Sequence, residues 1–229
     1  MFFGVTVGFI MKKMLLTAAL AAMTFAGAAT AATLTFDEFA HGDIITSLSL
    51  EGGVMASVTA DGRSSSSPDQ AWIFDTTLSN TRDPDLEGPF TNDGVNYDIY
   101  AGRALIIQEN NRAPDDDGNG GIISFVFSQA ITFLGFDFLD DEYVTATDNN
   151  GNSTTIGRPR GAAFDNYHTA SGLLNWANVT QLTFDFGHNS GAIDNLRYEV
   201  SQIPVPASLP LLLAALGALG FAARRKSAA

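Results

Sequence analysis

The feature that most constrains the fold is a two-residue alternation of apolar and polar side chains in the middle of the chain. The clearest stretch runs from Leu182 to Phe186, and similar stretches lie at 34–36, 134–138 and 196–200. Successive side chains of a strand point to opposite faces, so this pattern predicts strands with one face on a core. Shorter apolar runs predict further strands at 54–60, 71–75, 104–108, 121–127, 142–147 and 153–157.

Turn-forming sequences separate the predicted strands, among them Asp61-Gly62 and the stretches 92–94, 117–121 and 149–151. We expect long loops at 61–70 and 80–100, and at most one helical turn, at 173–177. Many short strands joined by such turns are typical of an all-β fold. The sequence therefore predicts an antiparallel β-sandwich of jelly-roll type.

The first 31 residues have the order of a secretory signal. Met11-Lys12-Lys13 is basic, residues 14–28 are apolar, and Ala29-Thr30-Ala31 provides the small residues that signal peptidase requires. We therefore predict an upstream extension and a signal helix over 1–31, cleaved by signal peptidase after Ala31. The alternative is a membrane-spanning helix, but this apolar run is shorter than the roughly 20 residues that a bilayer requires.

The last 27 residues, 203–229, have a different three-part order. A proline-punctuated stretch (Pro204, Val205, Pro206, Ala207) precedes the uncharged run 208–223, and Arg224, Arg225 and Lys226 follow it. Cations after an apolar helix stay on the cytoplasmic side, which places the preceding domain outside. We predict a transmembrane helix here, since a short helix with basic flanks spans by snorkelling and local thinning.

This C-terminal order resembles the PEP-CTERM class of sorting signals in its VPLPA variant, with Ile203 where valine is usual and Val205 where leucine is usual. The resemblance implies a Gram-negative bacterium, processing by an exosortase, and a destination at the cell surface or in the exopolysaccharide matrix. The alternative, an ordinary C-terminal membrane anchor, gives the same topology. Several internal segments also resemble uncharacterised secreted bacterial β-domain proteins that carry such tails: 71–77, 83–90, 105–109, 114–117, 120–127 and 138–142.

The predicted domain, residues 32–202, is strongly acidic. It contains all 25 acidic residues but only seven of the 12 basic residues, so its net charge is −18 (7 minus 25). This charge argues against nucleic acid as a partner. The absence of cysteine excludes disulfides and thiolate metal sites. A saline habitat, bound divalent cations or a solvated acidic surface would each account for the charge.

Calcium is the cofactor that the acidic clusters favour, because it takes six to eight oxygen ligands. Glu38 and Asp194 extend the core-facing alternation of the first and last strands, and Asp37 replaces Glu38 if the register shifts by one residue. An early acidic strand beside a late aspartate is similar to the structural calcium site of jelly-roll carbohydrate-binding modules. The alternative is that these carboxylates belong to solvated turns. The candidate calcium ligands are Asp37, Glu38, Asp83, Asp85, Asp115, Asp117, Asp140, Asp141 and Asp194.

No sequence pattern indicates an enzyme. The zinc-hydrolase, nucleophile-elbow and phosphate-loop motifs are missing, and carboxylates are too abundant for a pair to indicate a glycosidase. Tyr97 and Tyr100 are the candidate sugar-stacking platform, whereas Trp72 fits core packing. We expect a non-enzymatic carbohydrate-binding or adhesion module of the cell surface or exopolysaccharide matrix. The alternatives are a purely structural surface protein or, least favoured, a secreted glycan hydrolase.

Overall fold

The computed structural model describes residues 30–92, 95–140, 142–157, 167–170, 174–200 and 215–217. All the strands that it describes lie in one compact unit, Thr30–Ser201. Residues 215–217 are helical, and the rest of the predicted transmembrane helix lies outside the described residues, as does the predicted signal helix. Within the described residues, no helix is long and apolar enough to cross a bilayer.

The domain is all-β, as the alternation predicts. Its described strands are β1 (Thr30–Leu34), β2 (Ile44–Ile45), β3 (Ser47–Ser49), β4 (Met55–Gly62), β5 (Ala71–Asp75), β6 (Phe90–Asn92), β7 (Val95–Ile99), β8 (Arg103–Ile107), β9 (Gly121–Leu139), β10 (Tyr143–Asp148), β11 (Ser153–Gly157), β12 (Tyr167–Ala170), β13 (Trp176–Asp185) and β14 (Ala192–Val200). Trp176 begins β13, so the helical turn predicted at 173–177 does not extend to it.

Antiparallel pairing joins twelve of the described strands into one branched sheet. Its main path runs β11-β10-β13-β9-β14-β8-β5-β2, while β1 pairs with β14, β4 and β12 pair with β9, and β3 pairs with β4. Strands β6 and β7 form a separate hairpin.

Strand β9 organises the sheet because its two halves have different neighbours. Residues 121–127 lie between β4 and β13, whereas 131–139 lie beside β14, with β13 and β12 on the other side. The alternation also changes phase within the second half: Phe133 and Phe136 are both buried, and the pairing with β14 shifts register opposite Gly135. This irregularity is a β-bulge. Leu134, which the alternation predicts in the core, is therefore only half-buried and lies outside the core cluster.

A large apolar cluster fills one side of the sheet, and phenylalanine dominates it. Its fully buried aromatic members are Phe36, Phe125, Phe133, Phe136, Phe138, Phe184 and Phe186. Phe136 and Phe184, from neighbouring strands, meet edge to face with ring centroids 4.8 Å apart. Such pairs add to the stabilisation that apolar burial alone provides.

A second, smaller cluster covers the other face of β5 and β8. It includes Phe74 and Ile106, which pack with Leu86 and Phe90 from the segment that follows β5. All four residues 104–107 are buried, because both faces of β8 are covered. The prediction of one long loop over 80–100 is therefore wrong: this segment contains β6 and β7, and its apolar side chains close a core layer.

Gly121 lies where the backbones of β4 and β9 approach each other closely. Its φ is +145°, and a Cβ there would lie 2.2 Å from the Asp61 carbonyl oxygen. We predict that Gly121→Ala lowers the free energy of unfolding by about 3 kcal/mol, since backbone must move. Gly151→Ala is the control: its φ is +85° but a Cβ would meet nothing within 4 Å.

The control should cost only about 1 kcal/mol, the price of a positive φ for an L-residue. Denaturant unfolding of the two variants measures the difference. Equal losses would show that the contact between β4 and β9 is looser than described.

Candidate functional site

The structure gathers the candidate calcium ligands in two separate places. One is a surface cleft of about 310 Å³ whose acidic lining residues are Asp83, Asp85, Glu109, Asp115, Asp116 and Glu142. We call it the acidic cleft. The other is a carboxylate cluster beside the first and last strands, formed by the buried Asp137 and Asp194 and the exposed Asp37.

Three loops that are distant in sequence bring the acidic cleft together. Asp83 and Asp85 follow β5, Asp115 and Asp116 lie between β8 and β9, and Glu142 lies in the turn between β9 and β10. The predicted ligands Asp83, Asp85 and Asp115 thus meet at one site, together with Glu142. Asp141 lies outside the described residues.

Hydrogen bonds from backbone amides hold the carboxylates of the cleft. The amide of Asp116 donates to Asp83 Oδ2 at 3.1 Å, and the amide of Gly191 donates to Asp116 Oδ2. Ser190 donates from its amide to Glu142 Oε2 at 2.9 Å and from its hydroxyl to Asp140 Oδ2 at 2.6 Å. These hydrogen bonds connect the turn between β13 and β14 to the loop that carries Asp116 and to the turn that carries Asp140 and Glu142.

The carboxylates of the cleft are crowded, and Arg82 is the cation among the described residues that line it. Arg82 Nε donates to Asp115 Oδ2 at 3.1 Å. Burial, followed by a hydrogen bond with Asp85, raises the pKa of Asp83 to about 8. Burial, followed by the charges of Asp83 and Asp140, raises the pKa of Asp116 well above its ordinary value. Asp83 and Asp116 therefore titrate as an interacting pair.

Asp117, a predicted calcium ligand, has a structural role beside the cleft. Its side chain is buried and accepts hydrogen bonds from the amides of Ser64 and Asn119, each at 2.9 Å, and from the Ser64 hydroxyl. It fixes the serine-rich loop after β4. Asp115 and Asp116 both line the cleft, and Asp116 is not among the ligands that the sequence predicts.

The second place arises because the first and last strands are neighbours. Strand β1 pairs with β14 from Thr30↔Val200 to Leu34↔Leu196. The chain leaves β1 after Leu34, and Phe36 has a φ of +57°. Asp37 and Glu38 are both exposed, and Asp37 accepts a hydrogen bond from the Arg103 amide at 3.0 Å. Of the two residues that the sequence offered, Asp37 is the one whose charge acts on Asp194.

Asp194 is the least satisfied carboxylate of this cluster. It is 1% exposed; its Oδ2 accepts a hydrogen bond from Asn195 Nδ2 at 3.0 Å, but its Oδ1 has no partner among the described residues. The facing residue on β9, Asp137, is fully paired with Tyr167 Oη at 2.6 Å and with Arg197. Burial, with the charges of Asp137 and Asp37 adding to it, raises the pKa of Asp194 to about 8.

Neither place provides a complete set of side-chain ligands for a metal ion. Among the described residues, no group of three or more histidine or acidic side chains is arranged to hold a metal ion. A cation at Asp194 would thus need backbone carbonyls or water for its remaining ligands, which calcium accepts.

The candidate aromatic platform is only partly described. Tyr100 follows β7 and is 59% exposed. Tyr97 lies in β7, and its side chain is outside the described residues. Trp72 is half-buried: it packs against the second cluster and donates from Nε1 to Gln70 Oε1 at 3.0 Å.

The ends of the chain carry the remaining predicted residues. Ala31 lies in β1 opposite Glu199, whereas Ala29 and the residues of the C-terminal motif lie outside the described residues. A family model described as the PEP-CTERM protein-sorting motif matches residues 202–226. The chain is a PEP-CTERM protein.

As a PEP-CTERM protein, the chain is an exosortase substrate that is exported and sorted toward the cell envelope. The matched segment begins two residues after β14 ends at Val200. A comparison with curated proteins finds no match to the chain.

The raised pKa of Asp83 makes the stability of this PEP-CTERM protein dependent on pH. Its pKa is about 8 in the folded state against an ordinary 3.8. The stability contributed by the protonated form is complete below about pH 4 and is lost as the pH rises to about 8. We predict that in chelator the free energy of unfolding, and with it the melting temperature, falls over this range. Asp83→Asn should make the fall of the free energy of unfolding smaller by a few kcal/mol.

Circular-dichroism melts of the full chain in neutral detergent, at constant ionic strength, measure this effect. The exposed Asp61 provides the matched control, Asp61→Asn, which should keep the pH dependence of the parent protein. If Asp83→Asn and Asp61→Asn had the same pH profile, the protonated cleft would be ruled out.

Proposed function

We propose that the β-domain is a non-enzymatic, calcium-stabilised glycan-binding or adhesion module, displayed at the cell surface or in the exopolysaccharide matrix. The observation that carries this proposal is the sorting motif at 202–226, directly after the last strand of an all-β domain. A domain that is exported and sorted in this way meets the glycans of the envelope first. We therefore look for the function of the domain in the surface that it presents to these glycans.

We infer that the branched sheet folds on itself as a jelly-roll sandwich. Two observations support this: β9 changes neighbours between 127 and 131, and the buried side chains of both its halves belong to one apolar cluster. We infer also that residues 208–223 form a transmembrane helix that anchors the protein at least transiently, after signal peptidase removes 1–31.

Calcium is proposed to bind beside Asp194. The support is the Oδ1 atom of this buried side chain, which has no hydrogen-bond partner among the described residues, and the nearby charge of Asp37. A buried carboxylate is costly unless it is paired or coordinated, and a divalent cation would offset that cost. The acidic cleft and Asp117 stay predicted calcium sites of lower rank, because backbone amides already occupy carboxylate oxygens of Asp83, Asp116 and Asp117.

We predict that calcium raises the melting temperature of the full chain and that excess chelator lowers it. A ligand that binds only the native state at about 100 times its Kd adds about 2.7 kcal/mol of stability. Asp194→Asn should abolish the calcium-dependent shift, whereas Asp61→Asn should keep it. Identical melts in calcium and in chelator, at constant ionic strength, would disprove the calcium site.

Glycan binding is supported by the exposed ring of Tyr100 and by the sorting destination. A secreted glycan hydrolase is the second candidate, and one observation favours it: Asp83, with a raised pKa, lies beside Asp85 in an open cleft. A glycosidase needs such a pair of acid and base. Among the described residues that line this cleft there is no aromatic side chain, which counts against a sugar-stacking site there.

Affinity electrophoresis of the full chain through gels that contain exopolysaccharide, with a reducing-end assay on the same mixtures, tests these alternatives. We expect retardation in the gel without release of reducing ends. Release that Asp83→Asn abolishes would favour the hydrolase. Migration unaffected by any polysaccharide, with or without calcium, would favour a purely structural protein.

A further inference from the structure

One face of the sheet is covered mostly by hydroxyl side chains. It extends over six adjacent strands, β3, β4, β9, β13, β10 and β11. We call it the hydroxyl face; its central members are Ser47, Ser57, Thr59, Ser124, Thr145, Thr147, Ser153, Thr155, Gln181 and Thr183. The residues that alternate with them in β4, β9, β10 and β13, such as Val58, Phe125, Val144 and Leu182, are buried in the core.

The register of the strands aligns these side chains in rows. One row runs across five strands and is made only of serine and threonine: Thr59, Ser124, Thr183, Thr147 and Ser153. Neighbouring members of such a row are about 4.8 Å apart, and successive rows along a strand are about 6.8 Å apart. Hydroxyls contact each other within the face, as Thr145 and Thr155 do at 2.8 Å.

The hydroxyl face is also nearly uncharged, on a domain whose net charge is −18 (7 minus 25). Its carboxylates, Asp61 and Asp185, lie together in one row at the end of the face. Asp185 is paired with Arg63 at 3.3 Å. The acidic residues of the cleft lie in loops and turns, and none of them lies on the strands that form the face.

Exposed apolar side chains interrupt the hydroxyl groups, and two of them lie close to the centre of the face. Val126 and Met55 are 52% and 47% exposed, and Val126 lies in the row between Ser57 and Gln181. A surface with many neutral donors and acceptors and a small apolar patch matches a pyranose ring, which has hydroxyls at its edge and C–H groups on its faces.

We propose that the hydroxyl face binds an uncharged polysaccharide chain. The inference rests on the proposed glycan-binding function and adds the location and the chemical class of the ligand. Charge decides the class: an anionic polymer is repelled by a domain of this net charge, and a cationic partner is attracted to the acidic loops instead of to a neutral face. A ligand that binds this face in preference to the rest of the surface is therefore uncharged.

Affinity electrophoresis of the full chain in neutral detergent tests the proposal with two sets of probes. The neutral set is mixed-linkage β-glucan, galactomannan, xyloglucan and dextran; the acidic set is alginate and polygalacturonate. We expect retardation by at least one neutral polymer and by neither acidic polymer. Thr183→Glu places a carboxylate in the middle of the hydroxyl face and should weaken that binding at least tenfold.

Ser79→Glu is the matched control, since it adds the same charge at an exposed position in the loop after β5, and it should bind like the parent protein. Thr183→Val keeps the shape of the side chain without a charge and should weaken binding less than Thr183→Glu. Equal melting temperatures of all the variants would confirm that folding is unchanged.

The outcomes separate the two proposals. If a neutral polymer binds the parent protein and Thr183→Glu equally well, glycan binding survives and the hydroxyl face is excluded. Retardation by the acidic polymers alone would overturn the neutral class. If no polymer binds, both proposals fail; and if light scattering shows a dimer that Thr183→Glu dissociates, the face is an interface between two copies.

Discussion

The whole domain depends on the pairing of β9, because this one strand is hydrogen-bonded to β4, β12, β13 and β14. A 19-residue strand that changes neighbours midway places two groups of strands on one core. The bulge opposite Gly135 keeps both halves facing inward: it shifts the alternation so that Phe133 and Phe136 are buried together. The same pairing sets Asp194 opposite Asp137, so the geometry of the core determines the geometry of the candidate site.

Burying acidic side chains is costly, and the domain offsets this cost in two ways. In the acidic cleft, backbone amides donate to carboxylates, and the raised pKa values of Asp83 and Asp116 leave the pair incompletely ionised at neutral pH. In the cluster beside β14, Arg197 and Tyr167 satisfy Asp137. Asp194 keeps one oxygen without a hydrogen bond from the described residues. That difference is the physical reason why the proposed cation belongs beside Asp194, although the cleft holds more carboxylates.

The sequence predicts the strands of this domain better than their arrangement. Period-two alternation locates β13 and β14 because each has one buried face, and local pattern is all that such a prediction requires. It does not reveal that the loops carrying Asp83, Asp115 and Glu142 converge, since pairing between distant strands leaves no local signal. It also misses β6 and β7, whose short, polar stretches resemble a loop. The pairing of β1 with β14 brings an early carboxylate near Asp194, and after the turn that follows Leu34 this carboxylate is Asp37, not Glu38.

The distribution of charge connects the two proposals. Like charges on a displayed domain keep copies apart, and they also repel any anionic matrix polymer. This repulsion is weakest where a ligand approaches a neutral surface. In the described part of the domain, the hydroxyl face is such a surface. A cation bound beside Asp194, as proposed, would reduce repulsion inside the domain and leave that face unchanged. Asp194 is buried in β14, which pairs with the second half of β9, whereas the face is built on the first half. On these proposals, stability depends on a residue of β14 and recognition on the strands beside the first half of β9, so each could be altered without the other.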